Sequence, residues 1–149
     1  TMIGNGDQAL DYYLSICPSI KEEQIDTYRS EPYVYSQMTA GRDAVRSGEA
    51  KNSWLTGTAS WSLIAIAQAI LGVKPQFNGL EISPCIPKDW SEYSVTRKFR
   101  GKTYRIQVQN PEHVSVGIKE LRVNGKPIEG NVIPLDLPGD DFDVQVVMG

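Results

Sequence analysis

Lys51-Asn52-Ser53-Trp54-Leu55-Thr56-Gly57-Thr58-Ala59-Ser60-Trp61 is a polar, glycine-containing turn. It runs into the almost wholly apolar stretch Trp61-Ser62-Leu63-Ile64-Ala65-Ile66-Ala67-Gln68-Ala69-Ile70-Leu71. Apolar residues on nearly every face predict a helix from about Thr58 to Leu71 that is buried all round, with Gly72 as its C-terminal stop. The first turn of such a helix carries about four unpaired N–H groups and a partial positive charge. Hydroxyls and a glycine at its mouth therefore suit a phosphate or a sugar oxygen. The same residues also fit plain capping, with Ser53, Thr56 or Thr58 accepting an amide hydrogen bond and Gly57 relieving crowding.

Upstream of this junction, Asp7 to Cys17 places Leu10, Tyr13, Leu14 and Cys17 on one helical face. Asp7 reads as the N-cap and Pro18 as the stop. The stretch from Pro18 to Ser53 is irregular, tyrosine-rich and polar, and an ordered connection of that length usually builds a binding surface. Downstream of Phe77-Asn78-Gly79 the hydrophobic period becomes two. Val95 and Phe99 flank charged residues, and Tyr104, Ile106 and Val108 alternate with polar neighbours, which is the pattern of half-buried strands. Gly101-Lys102 and Asn124-Gly125 read as two-residue hairpin turns, and Val144, Val146 and Met148 supply a last strand. The fold class is α+β, a helical piece over 1–78 followed by an antiparallel sandwich over 79–149, without internal repeats or low-complexity tracts.

Composition excludes several function classes. The chain has 149 residues, 40% of them hydrophobic, enough for a core. The net charge is -3 and the 15 basic residues are scattered, apart from Arg97-Lys98-Phe99-Arg100-Gly101-Lys102, which reads as the solvated face of a strand and its turn. No basic stripe for nucleic acid emerges. The longest apolar helix falls short of the ~20 residues that span a bilayer, and no signal-peptide pattern occurs, so no membrane partner is expected and the localisation is read as cytoplasmic. Cys17 and Cys85 lack CxxC spacing and read as reduced thiols, and no His/Cys cluster has metal-ligand spacing.

Glu31-Pro32-Tyr33-Val34-Tyr35-Ser36-Gln37-Met38, Gly48 through Trp61, Ile70-Leu71-Gly72-Val73, and Gly79-Leu80 with Pro84-Cys85-Ile86-Pro87 and Trp90 together resemble the cellobiose and chitobiose phosphorylase family, glycoside hydrolase family 94. The resemblance covers roughly residues 1–100. It implies the closing helices of an (α/α)6 barrel and a C-terminal two-sheet β-domain. It also implies an inverting phosphorylase, in which inorganic phosphate attacks the anomeric carbon of a β-linked disaccharide and releases a sugar 1-phosphate. An aspartic acid protonates the leaving oxygen, and phosphate stands where an inverting hydrolase activates water. Phosphate is a substrate, no further cofactor is implied, and the whole enzyme is expected to be a homodimer. Residue by residue, Thr56 and Gly57 match the Thr-Gly pair that holds phosphate, and Gln37 matches the glutamine contacting the transferred sugar.

The resemblance is incomplete. The family's acid lies in an Asp-Trp-Asn-Asp-type motif that does not occur here, so the catalytic aspartate is expected upstream of Thr1, as is the phosphate-binding histidine. His113, in Asn110-Pro111-Glu112-His113, reads as a turn residue. Glu31 reads as a structural carboxylate. Trp54 and Trp61, seven residues apart, read as core, and of Tyr33 and Tyr35 only one can face a given pocket. Trp90 reads as a wedge between the helical part and the sandwich. The chain is thus expected to be a C-terminal fragment that is inactive alone. Two alternatives stay open: a non-catalytic carbohydrate-binding or interface module, and the phosphorylase-like terminal segment of a glucan synthase.

Overall fold

In the computed structural model, which describes residues 1–149, the period-two sequence forms two sheets. The larger has five strands in the order β5 (Glu92–Phe99), β6 (Lys102–Gln109), β10 (Asp141–Val147), β7 (Glu120–Val123) and β8 (Lys126–Pro127). The smaller has β3 (Val73–Pro75), β4 (Gly79–Ile82) and β9 (Val132–Pro134), so its first strand precedes Gly79. Cross-strand register aligns Tyr104 with Phe142, Ile106 with Val144 and Val108 with Val146. All six are essentially inaccessible, as are Leu80, Ile82 and Ile133 from the smaller sheet. Burying such a side chain is worth about 1.5–3 kcal/mol, so this alternation is what drives the β part to fold. The Tyr104 and Phe142 rings stack at 5.1 Å.

The β part departs from the sequence reading in two respects. It is not wholly antiparallel, because β10 runs parallel to β6 and antiparallel to β7. The three strands β7, β8 and β9 lie between them in the chain, and this long connection permits a parallel return that no hairpin could make. The first hairpin turn is Arg100-Gly101 rather than Gly101-Lys102, since Lys102 already pairs with Phe99. Both turn residues have positive φ, 50° and 80°, which matches the right-handed twist of the flanking strands. The second turn is Asn124-Gly125 as expected, with φ of 48° and 78°.

The chain divides into two compact units, Thr1–Leu10 with Ile66–Gly149, and Asp11–Ala65. Helix α1 covers Gly6–Ile16. Its cap is Asn5 rather than Asp7: Asn5 Oδ1 accepts from the Gln8 amide at 3.1 Å and Asn5 O accepts from Ala9. Asp7 sits in the first turn and instead accepts from the Lys88 amide at 3.1 Å. Leu10, Tyr13 and Cys17 are half-buried while Leu14 is exposed. Pro18 does end the helix, and a 3₁₀ segment, Pro18–Gln24, leads into the single turn α2, Ile25–Tyr28. A two-rung ladder joins β1 (Met38–Thr39) to β2 (Ala50–Lys51).

The apolar helix forms as α3, Thr58–Ile64, and continues as π-helix over Ala65–Ile70. Leu71 N–H donates to Ile66 O, five residues back, and Gly72 terminates the run at φ 72°. The expectation of all-round burial fails in its first half. Trp61 and Leu63 are 71% and 66% exposed, and only Ser62 and Ile70 are buried. Trp54, also read as core, is 68% exposed. Periodicity reports that a face is apolar, not that a partner lies against it. Trp90 packs edge-on to Tyr93 at 6.0 Å, and the Tyr93 hydroxyl donates to Leu71 O, tying the sheet to the end of the π-helical run.

Candidate functional site

Thr56, Gly57 and Gln37 all lie in the unit Asp11–Ala65. Thr56 precedes the cap residue of α3, Gly57, and folds back on the helix: its Oγ1 accepts from the Thr58 amide at 3.1 Å and shares a 2.6 Å hydrogen bond with the Thr58 hydroxyl. This is the local hydroxyl turn that threonine favours. The first intrahelical bond runs from the Trp61 amide to Gly57 O at 3.1 Å. Amides ahead of Trp61 consequently have no acceptor within the helix. Thr56 serves the one at Thr58. Gly57 is exposed, and a Cβ there would meet only Trp61 Cδ1 at 3.8 Å, so the backbone is open to approach.

Gln37 sits one residue beyond the β1–β2 ladder. Its amide donates to Lys51 O at 3.2 Å, and its side-chain Oε1 accepts from Asn52 Nδ2 at 2.8 Å. A cavity of about 210 Å³ is lined by Gln37, Ser36, Tyr28, Lys21 and Thr58 among others. The structure therefore brings Gln37 to the same hollow as Thr58, whose hydroxyl is bonded to Thr56. Tyr28 and Ser36 share a 3.0 Å hydroxyl bond on its wall.

Two features support this loop. Glu49, almost fully buried, accepts from Lys51 at 2.5 Å and Arg46 at 3.3 Å, with Arg29 at 3.8 Å. The Lys51 hydrogen bond, reinforced by Arg46, holds its carboxyl below the usual range. Tyr35 is half-buried against Tyr13, with hydroxyls 3.4 Å apart, and burial pushes its phenol above the ordinary value. Tyr35 thus packs inward, and Tyr33, 71% exposed, is the outward member of the pair. Tyr33 meets Trp54 edge-on at 6.3 Å. Glu31 is held by Trp54 Nε1 and the Ser30 hydroxyl, each at 3.5 Å, in line with a structural carboxylate.

Sequence reasoning missed Glu49 and Asn52. A lone glutamate between glycine and alanine carries no periodic signal, whereas the run Glu49-Ala50-Lys51 does hold an alternating charge pair that a strand would bring together. His113 occupies a turn at φ 52°, with Nδ1 2.7 Å from Lys88 O, as its sequence context indicated. No helix is long and apolar enough to cross a membrane.

Comparison with known proteins divides the chain after residue 72. Residues 1–72 match the glycosyl hydrolase 94 superfamily catalytic domain, and residues 73–144 match the glycosyl hydrolase family 65 C-terminal domain. The chain is 46% identical over 149 residues to an N,N'-diacetylchitobiose phosphorylase of Vibrio proteolyticus, covering 100% of the chain and 18% of that relative. It is 42% identical over 147 residues to the enzyme of the same name from Vibrio furnissii, covering 99% of the chain and 18% of the relative. A solabiose phosphorylase of Paenibacillus borealis is 38% identical over 145 residues, 97% of the chain and 19% of the relative. The chain spans less than a fifth of the length of these relatives. With one model ending where the other begins, at the step from π-helix to β3, residues 1–72 belong to the glycosyl hydrolase 94 superfamily catalytic domain and residues 73–144 to a family 65 type C-terminal domain.

Proposed function

We propose that this chain is the C-terminal portion of an inverting β-glycoside phosphorylase, which converts a β-linked disaccharide and inorganic phosphate into a sugar 1-phosphate and a free sugar. In this reading Thr56 and Gly57 hold phosphate, Gln37 contacts the transferred sugar, and the general-acid aspartate lies outside the chain. Residues 1–72 belong to the closing part of an (α/α)6 barrel and residues from 73 onward to the C-terminal β-domain of a cytoplasmic, homodimeric enzyme.

The observation that carries the reading is the hollow shared by Gln37 and Thr58, with the open backbone of Gly57 and the Thr56 hydroxyl at its side. A helix mouth suits an anion, and a carboxamide beside it suits a sugar hydroxyl. Relatives named N,N'-diacetylchitobiose phosphorylase that match 99–100% of this chain support the same chemistry. The exposed apolar face of α3, including Trp61, Leu63 and Ile64, agrees with a helix that other barrel helices cover.

The test is phosphorolysis by the complete polypeptide on a panel of β-linked disaccharides, reading sugar 1-phosphate and its anomeric configuration. Phosphate-dependent release of an inverted sugar 1-phosphate is expected. Hydrolysis without phosphate, or binding without turnover, would overturn the proposal.

A further inference from the structure

Gln37 and Asn52 flank the end of the two-rung β1–β2 ladder and meet through their side chains. In the β1–β2 ladder Thr39 pairs with Ala50 and Met38 with Lys51, and Gln37 and Asn52 are the residues next beyond its last rung. The regular pairing stops there, since Gln37 N–H donates to the carbonyl of Lys51, the residue already paired with Met38. Beyond the ladder the two side chains still meet, with Asn52 Nδ2 donating to Gln37 Oε1 at 2.8 Å. Asn52 has φ 53°, a left-handed conformation that asparagine tolerates better than most residues. The turn so formed ends the ladder and starts the run to Thr56. The register itself is pinned from the other side, where Lys51 and Arg46 grip the buried Glu49 and Ala40 N–H donates to Glu49 O at 2.8 Å.

We propose that Asn52 is a positioning residue for Gln37: it holds the carboxamide by its oxygen, so that Gln37 presents its two N–H donors to an oxygen of the transferred sugar. This rests on Gln37 being the sugar contact. Its consequence is a defined polarity, because Asn52 fixes which end of the amide is the oxygen and so orients the nitrogen, with its two donors, toward the sugar. A free glutamine would sample both faces of its amide and several rotamers, and binding sugar would then cost their ordering. The clamp removes that cost before the substrate arrives.

The experiment is a double-mutant cycle in the complete enzyme with Gln37→Ala, Asn52→Gly and the double variant. Glycine adopts φ 53° without strain, so Asn52→Gly deletes the amide and spares the backbone. Asn52→Gly is expected to raise KM for the sugar substrate about three- to tenfold, the scale of one lost hydrogen bond. The KM for phosphate and the urea midpoint should stay unchanged. In the Gln37→Ala background the second substitution should add nothing, since Asn52 acts through Gln37. Additive losses, or an Asn52→Gly enzyme with normal sugar KM, would overturn the positioning role while leaving Gln37 as the contact. An unchanged sugar KM in Gln37→Ala would instead remove the contact itself, and the positioning role with it.

Discussion

Thr56 has two possible employments for one hydroxyl, and they make different demands. As a local turn it accepts from Thr58 N–H and shares a hydrogen bond with the Thr58 hydroxyl. As a phosphate contact it must donate, and the hydroxyl can do both because it has one donor and two lone pairs. Thr56→Val nearly preserves volume and removes both roles, whereas Thr56→Ser keeps them. In the complete enzyme Thr56→Val should weaken phosphate use by roughly 1–3 kcal/mol, seen as a rise in the phosphate KM with a much smaller change for disaccharide. Thr56→Ser should restore most of it. Kinetics at varied phosphate decide the matter, and an unchanged phosphate dependence in the valine variant would leave Thr56 as a cap alone.

At the scale of elements, the join between helix and sheet is set by close backbone approach. Gly72 ends the π-helical run at φ 72°, and a Cβ there would lie 2.2 Å from Ser83 C and 2.3 Å from Pro84 N. Ser83 N–H donates to Gly72 O at 2.7 Å across the same contact. Backbone cannot yield as a side chain tip does, so Gly72→Ala should cost more than about 3 kcal/mol, combining strain with a clash. Gly41→Ala is the control, because nothing lies within 4 Å of its Cβ position. Urea unfolding of both variants should show a large fall in midpoint for the first and little for the second. Equal midpoints would mean that the join is softer than its geometry. The sequence announced Gly72 as a helix stop because glycine after an apolar run is a strong local signal. It also announced β6 and β10, whose alternation is strict, and the Asn124-Gly125 turn. It did not announce the parallel pairing of β6 with β10, since period two is the same in either direction. Nor did it show that Asn5, rather than Asp7, caps α1, where two capping residues stand two apart and only geometry chooses. For the candidate site, the Thr-Gly pair and Gln37 were legible through a shared motif, while the Asn52 clamp depends on a register that no periodicity encodes.

At the scale of the whole molecule, apolar surface is unevenly spent. The β part hides Leu80, Ile82, Ile106, Ile133 and Val108 almost completely, while Met2, Ile3, Tyr12, Ile16, Trp61 and Leu63 are left half or more exposed. The chain also lacks the Asp-Trp-Asn-Asp-type motif that supplies the acid in the family it resembles. On the proposed reading, the 149 residues expressed alone should show no phosphorolysis of any β-linked disaccharide, because general acid catalysis by itself contributes about 10²–10⁴-fold. A sugar 1-phosphate assay on the purified chain checks this, and clear turnover would place the acid within these residues. The order of strands carries a further consequence, for synthesis. β10 is the last strand in sequence, yet it lies in the middle of the five-stranded sheet, between β6 and β7. A ribosome therefore finishes every neighbour before it makes the strand that joins them. Until then β6 and β7 each wait with an open edge and an apolar face, the condition in which nascent chains pair wrongly with one another. Chaperone binding to this β part should therefore be strongest before residues 141–147 clear the exit tunnel.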